Sequence, residues 1–545
     1  MNSLASTNSQ SWLSWFLRGT LILLFVILFA KLFEVQIIKG EYYRTLSQEN
    51  RIRHIPLPAP RGRILARGGE ELATNVAIKK RIEFTADGFQ VTDDLTDATP
   101  DQIVMDYKRV YPLADQLSHA VGYLAQVSAD EVGKIDPDCP EKGLRASNML
   151  IGKTGLEESY ECSLEGTPGE ELIEVDTSGK QVRVLGRREP VPGADLVTTI
   201  NYGLQIEVAK DMNAMQGTRG AAIVTDPTGA ILAFYSYPTF DPNLFINKDN
   251  SQEIGSLLKN PDLPLFDRVI SGTFHPGSVF KPLVAIAALE SGVIDKNFIF
   301  DDKGVINVNN YSYTNWYFTE YGRTEGPIGL VRAIARSTDT FFYTIGQMAG
   351  PEAIAKWAKV FGLDGKTGID IPGETVGLIP TPEWKEEAQN QPWFLGNTYH
   401  MAIGQGDVSL TPIEENTYIS AIADGGLICP PHFFGTDFKC RQTGVRQENL
   451  DLVKQGMEAA CSAGGTAFTF FDFSAKHNGL SVACKTGTAE VGTDGTPHAW
   501  FVFFGPTDKP QIVATVLVER GGEGSSIAGP IARKIADYYF ASQSN

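Results

Sequence analysis

The sequence predicts an α+β protein: an antiparallel sheet flanked by helices, carried behind an N-terminal module and one transmembrane helix. Three observations predict it. Residues Trp12–Phe33 are predominantly apolar, with Arg18 near one end and Lys31 near the other. Residues 34–216 break into short, charge-rich segments. Residues 217–545 open and close on β-patterned runs with helical patterns between them, the order expected when helices cover a sheet.

In chain order, residues 1–11 form a short polar tail. The uninterrupted apolar stretch Gly19–Ala30 is shorter than a full span and by length alone would also suit a signal-peptide core. Lys31, Leu32, Phe33 and Glu34 follow it, with no small-x-small cleavage site. Residues 12–33 therefore read as an uncleaved signal anchor, with Trp12, Trp15, Arg18 and Lys31 near the membrane interfaces. Charge specifies its orientation poorly: no Lys or Arg precedes Arg18, while Lys31, Lys39 and Arg44 lie on the other side.

Within 34–216, Thr96–Gln126 and Gly152–Gly169 read as loops and short helices, Asp195–Ile200 as a strand, and Gly203–Met215 as a helix leading into the last domain. Within 217–545, Ala221–Thr225 and Ala230–Tyr235 are strands about the turn Pro227-Thr-Gly229. A helix opens at Ser278 and runs through Ala285, Ala287 and Leu289 to Gly292. Leu480–Cys484 reads as a strand, Ala499–Gly505 with Gln511–Glu519 as a late hairpin, and Ile527–Phe540 as the closing helix.

The 545 residues leave room for two to four domains, and 42% hydrophobic content is ordinary for a globular chain. A net charge of −18 argues against nucleic-acid binding and against an anionic membrane surface as partner. The six cysteines, at 139, 162, 429, 440, 461 and 484, contain no Cys-x-x-Cys spacing, so neither a zinc site nor another cofactor is expected. Cys429 and Cys440 either close a short loop as a disulfide, in an oxidising compartment, or stay free and buried. Cys484 reads as a packing residue.

The motif that carries chemistry is Ser278-Val-Phe-Lys281, inside Phe274-His-Pro-Gly-Ser-Val-Phe-Lys-Pro282. The spacing puts hydroxyl and amine on one helix face, one turn apart. Serine becomes nucleophilic when a neighbouring base takes its proton, and a lysine in a dry cleft can be that base. Pro276-Gly277 places Ser278 in the first helical turn, where its N–H is free of helical bonding. The bland reading is an N-cap serine beside an unrelated lysine, as in Ser256-Leu-Leu-Lys259, which lacks the Pro-Gly. Two further elements weigh against it: Ser337-Thr-Asp339, and Lys485-Thr-Gly-Thr488 at a strand end. Lys-Thr-Gly also occurs at Lys153 and Lys366, but only the third copy continues Thr488-Ala489-Glu490.

The ordered trio resembles the serine acyl-transfer set of penicillin-binding proteins and class A β-lactamases. The resemblance extends over nearly the whole chain and is to the class B penicillin-binding proteins. Arg61-Gly-Arg-Ile-Leu-Ala-Arg67 resembles an early element of that family, with Ala66 where the family usually has an acid. Gly155-Leu-Glu157, Tyr160-Glu161 and Leu164-Glu-Gly166 resemble its joining segment. Ala222–Ala233 resembles its first catalytic hairpin, and Ile403-Gly-Gln-Gly406 with Thr411-Pro412 another family element. His498-Ala-Trp-Phe501 resembles the strand after Lys-Thr-Gly.

The resemblance implies a penicillin-binding transpeptidase domain over 217–545 and a pedestal or dimerisation-like domain over 34–216. It implies a peptidoglycan D,D-transpeptidase acting through a Ser278 ester and blocked by β-lactams. Lys281 would be the base, Ser337 a proton bridge and Lys485 the holder of the substrate carboxylate, with Thr486 and Thr488 offering hydroxyls on one strand face. The N–H groups of Ser278 and Thr488 would form the oxyanion hole. Gly487 would allow close approach. Asp339, in place of the commoner asparagine, matches the elongation-type subgroup; as a carboxylate it only accepts hydrogen bonds. Glu490, His498 and Trp500 would shape the cleft, and Tyr311, Tyr313, Trp316, Tyr317 and Phe318 either line its rim or pack as an ordinary loop. Expected partners are stem peptides, β-lactams and a membrane-embedded glycan-polymerising protein, with the catalytic domain outside the cell membrane. A D,D-carboxypeptidase, a β-lactamase-like hydrolase and a β-lactam sensor are the alternatives.

Overall fold

The computed structural model describes residues 10–85, 88–99, 102–176, 181–215, 217–247, 250–436, 438–492 and 495–542. Most of the expected tail, residues 1–9, lies outside the described residues. The chain divides into two compact units. One comprises residues 1–60, 77–107 and 166–192; the other comprises 61–76, 108–165 and 193–545.

The first unit begins with helix α1 (Gln10–Phe33). The helical stretch Trp12–Ile38 is long and apolar enough to cross a membrane, with a mean hydropathy of 2.5 and no residue of its most apolar window buried against protein. At its C-terminal end Glu34 pairs with both Lys31 and Lys39, each at 2.7 Å, which closes the apolar stretch with charge. Strands β1 (Ile52–Leu57), β2 (Gly169–Val175) and β3 (Gln181–Arg188) form an antiparallel sheet in that order. Ile55, Ile82, Val104, Ile173 and Val175 form this unit's small core.

The second unit is built on a five-stranded antiparallel sheet of β4 (Arg219–Thr225), β5 (Ile231–Tyr237), β6 (Ala483–Val491), β7 (Gly495–Gly505) and β8 (Ile512–Glu519). Its order is β5-β4-β8-β7-β6, so the first and last strands of the sheet pair and β6 is an edge. The period-2 alternation of β7 explains the layers. Trp500, Val502 and Phe504 enter one core, and Phe501 and Phe503 the other. On the first face lie α3 (Lys281–Glu290), α4 (Leu330–Arg336), α5 (Asp339–Ala349), α6 (Pro412–Ala423) and α7 (Gln447–Ala460). On the second lie α2 (Tyr202–Asn213) and α8 (Ala528–Ser542). Truncating a fully buried phenylalanine such as Phe503 to alanine removes about 3–5 kcal/mol from such a core.

Several sequence expectations change in detail. Thr96–Gln126 contains a strand, Ile103–Val110, whose buried residues are only Val104 and Arg109, so it carries little apolar alternation. Of Asp195–Ile200 only Leu196–Val197 is strand, paired in parallel with Ile64–Leu65. Thr198 Oγ1 then donates to Leu65 O, and the chain turns toward Asn201, which caps α2. The strand expected from Leu480 begins at Ala483, because Ser481 bonds to Thr507 instead of a ladder partner. The helix at Ser278 starts as a 3-10 turn, Gly277–Phe280, before α3. All six cysteines are disulfide-bonded: Cys139–Cys162, Cys429–Cys440 and Cys461–Cys484. The free-thiol alternative and the packing role for Cys484 are thus corrected; the partners become neighbours only once the chain has folded.

Candidate active site

The 3-10 turn bearing Ser278 is wedged between β6 and a glycine-rich loop. Gly277 has φ +56, and a Cβ there would lie 3.1 Å from Thr488 O and 3.2 Å from the Ala489 Cβ. Gly277 N donates to Gly404 O at 2.8 Å, and a Cβ on Gly404 would stand 2.2 Å from Gly277 O. Ile403-Gly-Gln-Gly406 therefore buttresses the serine turn. Thr411 and Glu414 cap α6 reciprocally, and Tyr418 of that helix donates its hydroxyl to Val279 O, pinning the turn from beneath. Ser278 is half-buried, and among the described residues its hydroxyl has no hydrogen-bond partner.

Lys281 begins α3 and is completely buried. Its Nζ donates to Asp339 Oδ1 at 2.6 Å, to Ser337 O at 2.8 Å and to Ser337 Oγ at 3.1 Å. Burial pulls its pKa below the ordinary lysine value, and the Asp339 carboxylate partly offsets this. The amine is directed at the other two motif residues; hydrogen bonds to a nucleophile often tighten only when substrate is bound.

Ser337 ends α4 in the left-handed region, φ +55, with Ser337 N bonded to Ile334 O and Thr338 N to Ala333 O. A non-glycine residue held there costs about 1–3 kcal/mol and marks a position whose side-chain direction is enforced. Asp339 opens α5, where the helix N-terminus favours a carboxylate. Its Oδ2 accepts from Trp316 N at 3.1 Å, so both oxygens are acceptors, the role a carboxylate can fill.

Lys485, completely buried on β6, donates to Ser337 Oγ at 2.9 Å and to Thr486 O at 2.9 Å. Burial pushes its pKa far below the lysine value, and repulsion from Lys281 pushes it further. Thr486, Thr488 and Glu490 alternate onto one face of β6. Thr486 Oγ1 bonds Thr466 Oγ1 at 2.9 Å, and Thr488 Oγ1 accepts from Gly524 N at 3.3 Å. A Cβ on Gly487 would lie 2.9 Å from Trp500 Cβ, 3.0 Å from Pro276 O and 3.0 Å from Val279 Cγ1, so only glycine lets β6 approach the serine turn. The three motifs thus converge.

The aromatic run divides. Trp316 Nε1 donates to Arg336 O, and the Arg336 guanidinium lies over the Trp316 and Tyr317 rings. Tyr313 packs on Tyr343, Tyr399 and His400, while Tyr311 is exposed. Trp500 is buried and bonds His275 O; His498 accepts from Arg520 N and meets Phe274 edge-on. The other motif copies lie apart from the site: Ser256 bonds Gln252 O on an exposed helix and Lys153 pairs with Glu131. In the early element, Arg61 and Arg109 clasp the buried Glu157 and Arg61 also binds Glu161; despite burial, the two arginines hold Glu157 below the usual carboxylate range. Ala66 is fully buried.

Sequence reasoning missed the supports of β6. Thr466 steadies Thr486, and Cys461–Cys484 ties the end of α7 to the residue before Lys485. Gly464-Gly465-Thr466 signalled a turn, but nothing local linked it to β6. Glu415 on α6 was also missed: it is fully buried, with no hydrogen-bond partner for either oxygen among the described residues, and burial holds it well above the usual range.

A buried lysine-serine-lysine array beside a half-buried serine on a sheet edge defines a serine acyl-transfer enzyme. The penicillin binding protein transpeptidase domain family matches residues 220–537, and the penicillin-binding protein dimerisation domain family matches residues 85–198. The chain belongs to the penicillin-binding proteins. It is 30% identical to the peptidoglycan D,D-transpeptidase MrdA of Acinetobacter baumannii, over 96% of this chain and 87% of that one. It is also 30% identical to MrdA of Escherichia coli, over 96% and 93%. Among solved structures, PBP2 of Helicobacter pylori in complex with MreC is 26% identical with a TM-score of 0.78, over 91% of this chain and 100% of that one. PBP2 of Pseudomonas aeruginosa bound to WCK 5153 is 32% identical with a TM-score of 0.72, over 89% and 96%.

Proposed function

We infer that Ser278 is the nucleophile of this protein, Lys281 its base and Ser337 the relay between them and the leaving group. The chain is a membrane-anchored peptidoglycan D,D-transpeptidase. Ser278 Oγ attacks the carbonyl of the penultimate D-alanine as Lys281 takes its proton. The N–H groups of Ser278 and Thr488 stabilise the oxyanion. Ser337 passes a proton to the departing D-alanine amine, leaving a Ser278 ester. The amine of a second stem peptide then attacks that ester; its lost proton returns to Ser278 Oγ as the ester breaks. Lys485, Thr486 and Thr488 hold the donor's carboxylate. A β-lactam acylates the same serine by ring opening.

The observation that carries this reading is the position of Ser337 Oγ, within hydrogen-bond reach of both Lys281 and Lys485. The aspartate of the Ser337-Thr-Asp339 motif supports an elongation-type role. The catalytic unit stands outside the cell membrane, and a membrane-embedded partner polymerises the glycan; the H. pylori relative is seen with MreC. The test separates transfer from hydrolysis: labelled acyl-enzyme is offered water with or without millimolar D-amino acid. Aminolysis dominating supports the transferase. Several penicillin turnovers per minute, unaffected by amine, identify a hydrolase, and an ester inert to both water and amine identifies a sensor.

A further inference from the structure

We propose that the pocket between residues 361–363 and the Cys429–Cys440 loop is a binding site for a phosphate group, held by Lys366, Lys439 and Arg441. It lies within the second unit, and no motif residue of the active site lines it. The proposal is independent of the transpeptidase reading.

Three observations lead there. First, the pocket has a volume of about 100 Å³, roughly that of three waters, which suits one tetrahedral oxyanion. Second, its walls are tied together. Ile428 pairs with Arg441 across a short antiparallel ladder. The Cys429–Cys440 disulfide joins the wall that carries Ile428 and Pro430 to the wall that carries Lys439 and Arg441. Gly362 follows the helix Pro351–Val360 with φ +84, and a Cβ there would lie 3.1 Å from Arg441 Nη2, so the glycine lets the guanidinium approach. Arg441 Nη1 donates to Val360 O at 2.6 Å, which fixes the guanidinium against the helix end. Third, the pocket carries unbalanced charge. Lys366, from the second Lys-Thr-Gly copy, lines it with Lys439 and Arg441, and none of the three pairs with a carboxylate among the described residues. Glu414 is the one acid on the wall among the described residues, and its oxygens are engaged elsewhere. They accept from Gly377 N at 2.8 Å, Thr411 N at 2.7 Å and Thr411 Oγ1 at 3.0 Å. Burial pushes its pKa up to about 7, so near neutrality it opposes an anion only in part. The chain as a whole carries −18, so an anion that binds it must find a local cluster of cations. A phosphate group brings close to two charges and several acceptor oxygens at neutral pH, and guanidinium and ammonium groups are its ordinary partners.

The test titrates the full-length protein calorimetrically with inorganic phosphate and, separately, with glycerol 3-phosphate, at constant pH and ionic strength. Circular dichroism melts check that each variant is folded. The wild type should bind inorganic phosphate with a Kd of about 1 mM or tighter. Arg441→Gln should weaken binding by about tenfold, and the double variant Lys366→Gln, Lys439→Gln by at least as much. Lys259→Gln, which removes an exposed cation outside the pocket, should bind as the wild type does. Binding of glycerol 3-phosphate as well assigns the site to a phosphate carried on a larger molecule, and binding of inorganic phosphate alone assigns it to the free ion. No saturable heat with inorganic phosphate, an unaltered affinity in folded Arg441→Gln, or an equal loss in Lys259→Gln overturns the proposal.

Discussion

Lys281 Nζ lies 2.6 Å from Asp339 Oδ1, and the lysine is completely buried. Two opposing influences therefore meet on one amine: burial lowers its pKa and the carboxylate raises it. The net direction is downward, so the acylation rate should rise with pH through an ionisation below the ordinary lysine value. In Asp339→Asn the raising influence is lost, and that limb should move to lower pH. The same change removes an acceptor from Lys281, so the plateau rate should fall about tenfold, roughly 1.4 kcal/mol of barrier. Stopped-flow acylation by a chromogenic β-lactam across pH checks both; an unmoved limb with an unaltered plateau would show that Asp339 does not tune the Lys281 amine.

Ser278→Ala should give no covalent adduct with benzylpenicillin by intact mass, whereas Ser256→Ala should label as the wild type does. The contrast follows from position: Ser256 sits on an exposed helix with its hydroxyl bonded to Gln252 O, and Ser278 stands in the cleft. An adduct on Ser278→Ala removes the assignment.

Gly487→Ala should abolish labelling while the protein stays folded. The added methyl would have to sit 3.0 Å from the backbone oxygen of Pro276, so β6 and the serine turn must separate. Circular dichroism unchanged beside labelling reduced by at least tenfold is the expected pair of results; full labelling would show that the turn tolerates the shift.

The double variant Cys461→Ser, Cys484→Ser should lose about 3 kcal/mol of stability, the chain-entropy value for a loop with this separation of 23 residues. Acylation should also slow at temperatures where the variant is still folded, because the tie holds the start of the Lys485 strand. The double variant Cys429→Ser, Cys440→Ser, in which the closed loop spans a separation of only 11 and adjoins none of the motif residues, should lose stability without that kinetic effect. Thermal melts beside acylation rates distinguish the two.

His498 should remain neutral through the physiological range. Burial lowers its pKa to about 4, and its Nδ1 accepts the Arg520 N–H, which requires an unprotonated nitrogen. A depressed histidine favours the folded state above the unfolded value of 6.5, and that contribution is lost as pH falls through about 4. Imidazole resonances that do not titrate between about pH 5 and 8 are expected; a midpoint near the ordinary histidine value contradicts it.

The three motifs of the candidate site were legible because each is a short-range pattern. One helical turn sets Ser278 and Lys281, a helix end sets Ser337 and Asp339, and strand alternation sets Thr486 and Thr488. The sheet strands were legible for the same reason, since Ala221–Val224 and Ala499–Gly505 carry no polar side chain. What escaped depends on distant residues meeting. Thr466 reaches Thr486 across 20 positions, and Cys461 reaches Cys484 across 23. Gly404 is recognisable as a motif glycine, yet its reason, the 2.2 Å approach to Gly277 O, exists only after folding. Strand Ile103–Val110 escaped because its buried positions include an arginine whose partner, Glu157, lies 48 residues on.

The free edge of β6 is also a hazard. An unpaired strand edge invites any extended chain to pair with it, which is how sheets of different molecules join and proteins aggregate. Proteins commonly blunt such edges with charge, proline or a covering segment. Here the serine turn stands so close that Gly487 has no space for a methyl group. A wide partner, such as another sheet, is therefore kept out, while one thin extended strand can enter. The narrowness that sets the Ser278 turn against β6 thus also guards an unpaired strand edge against joining another sheet.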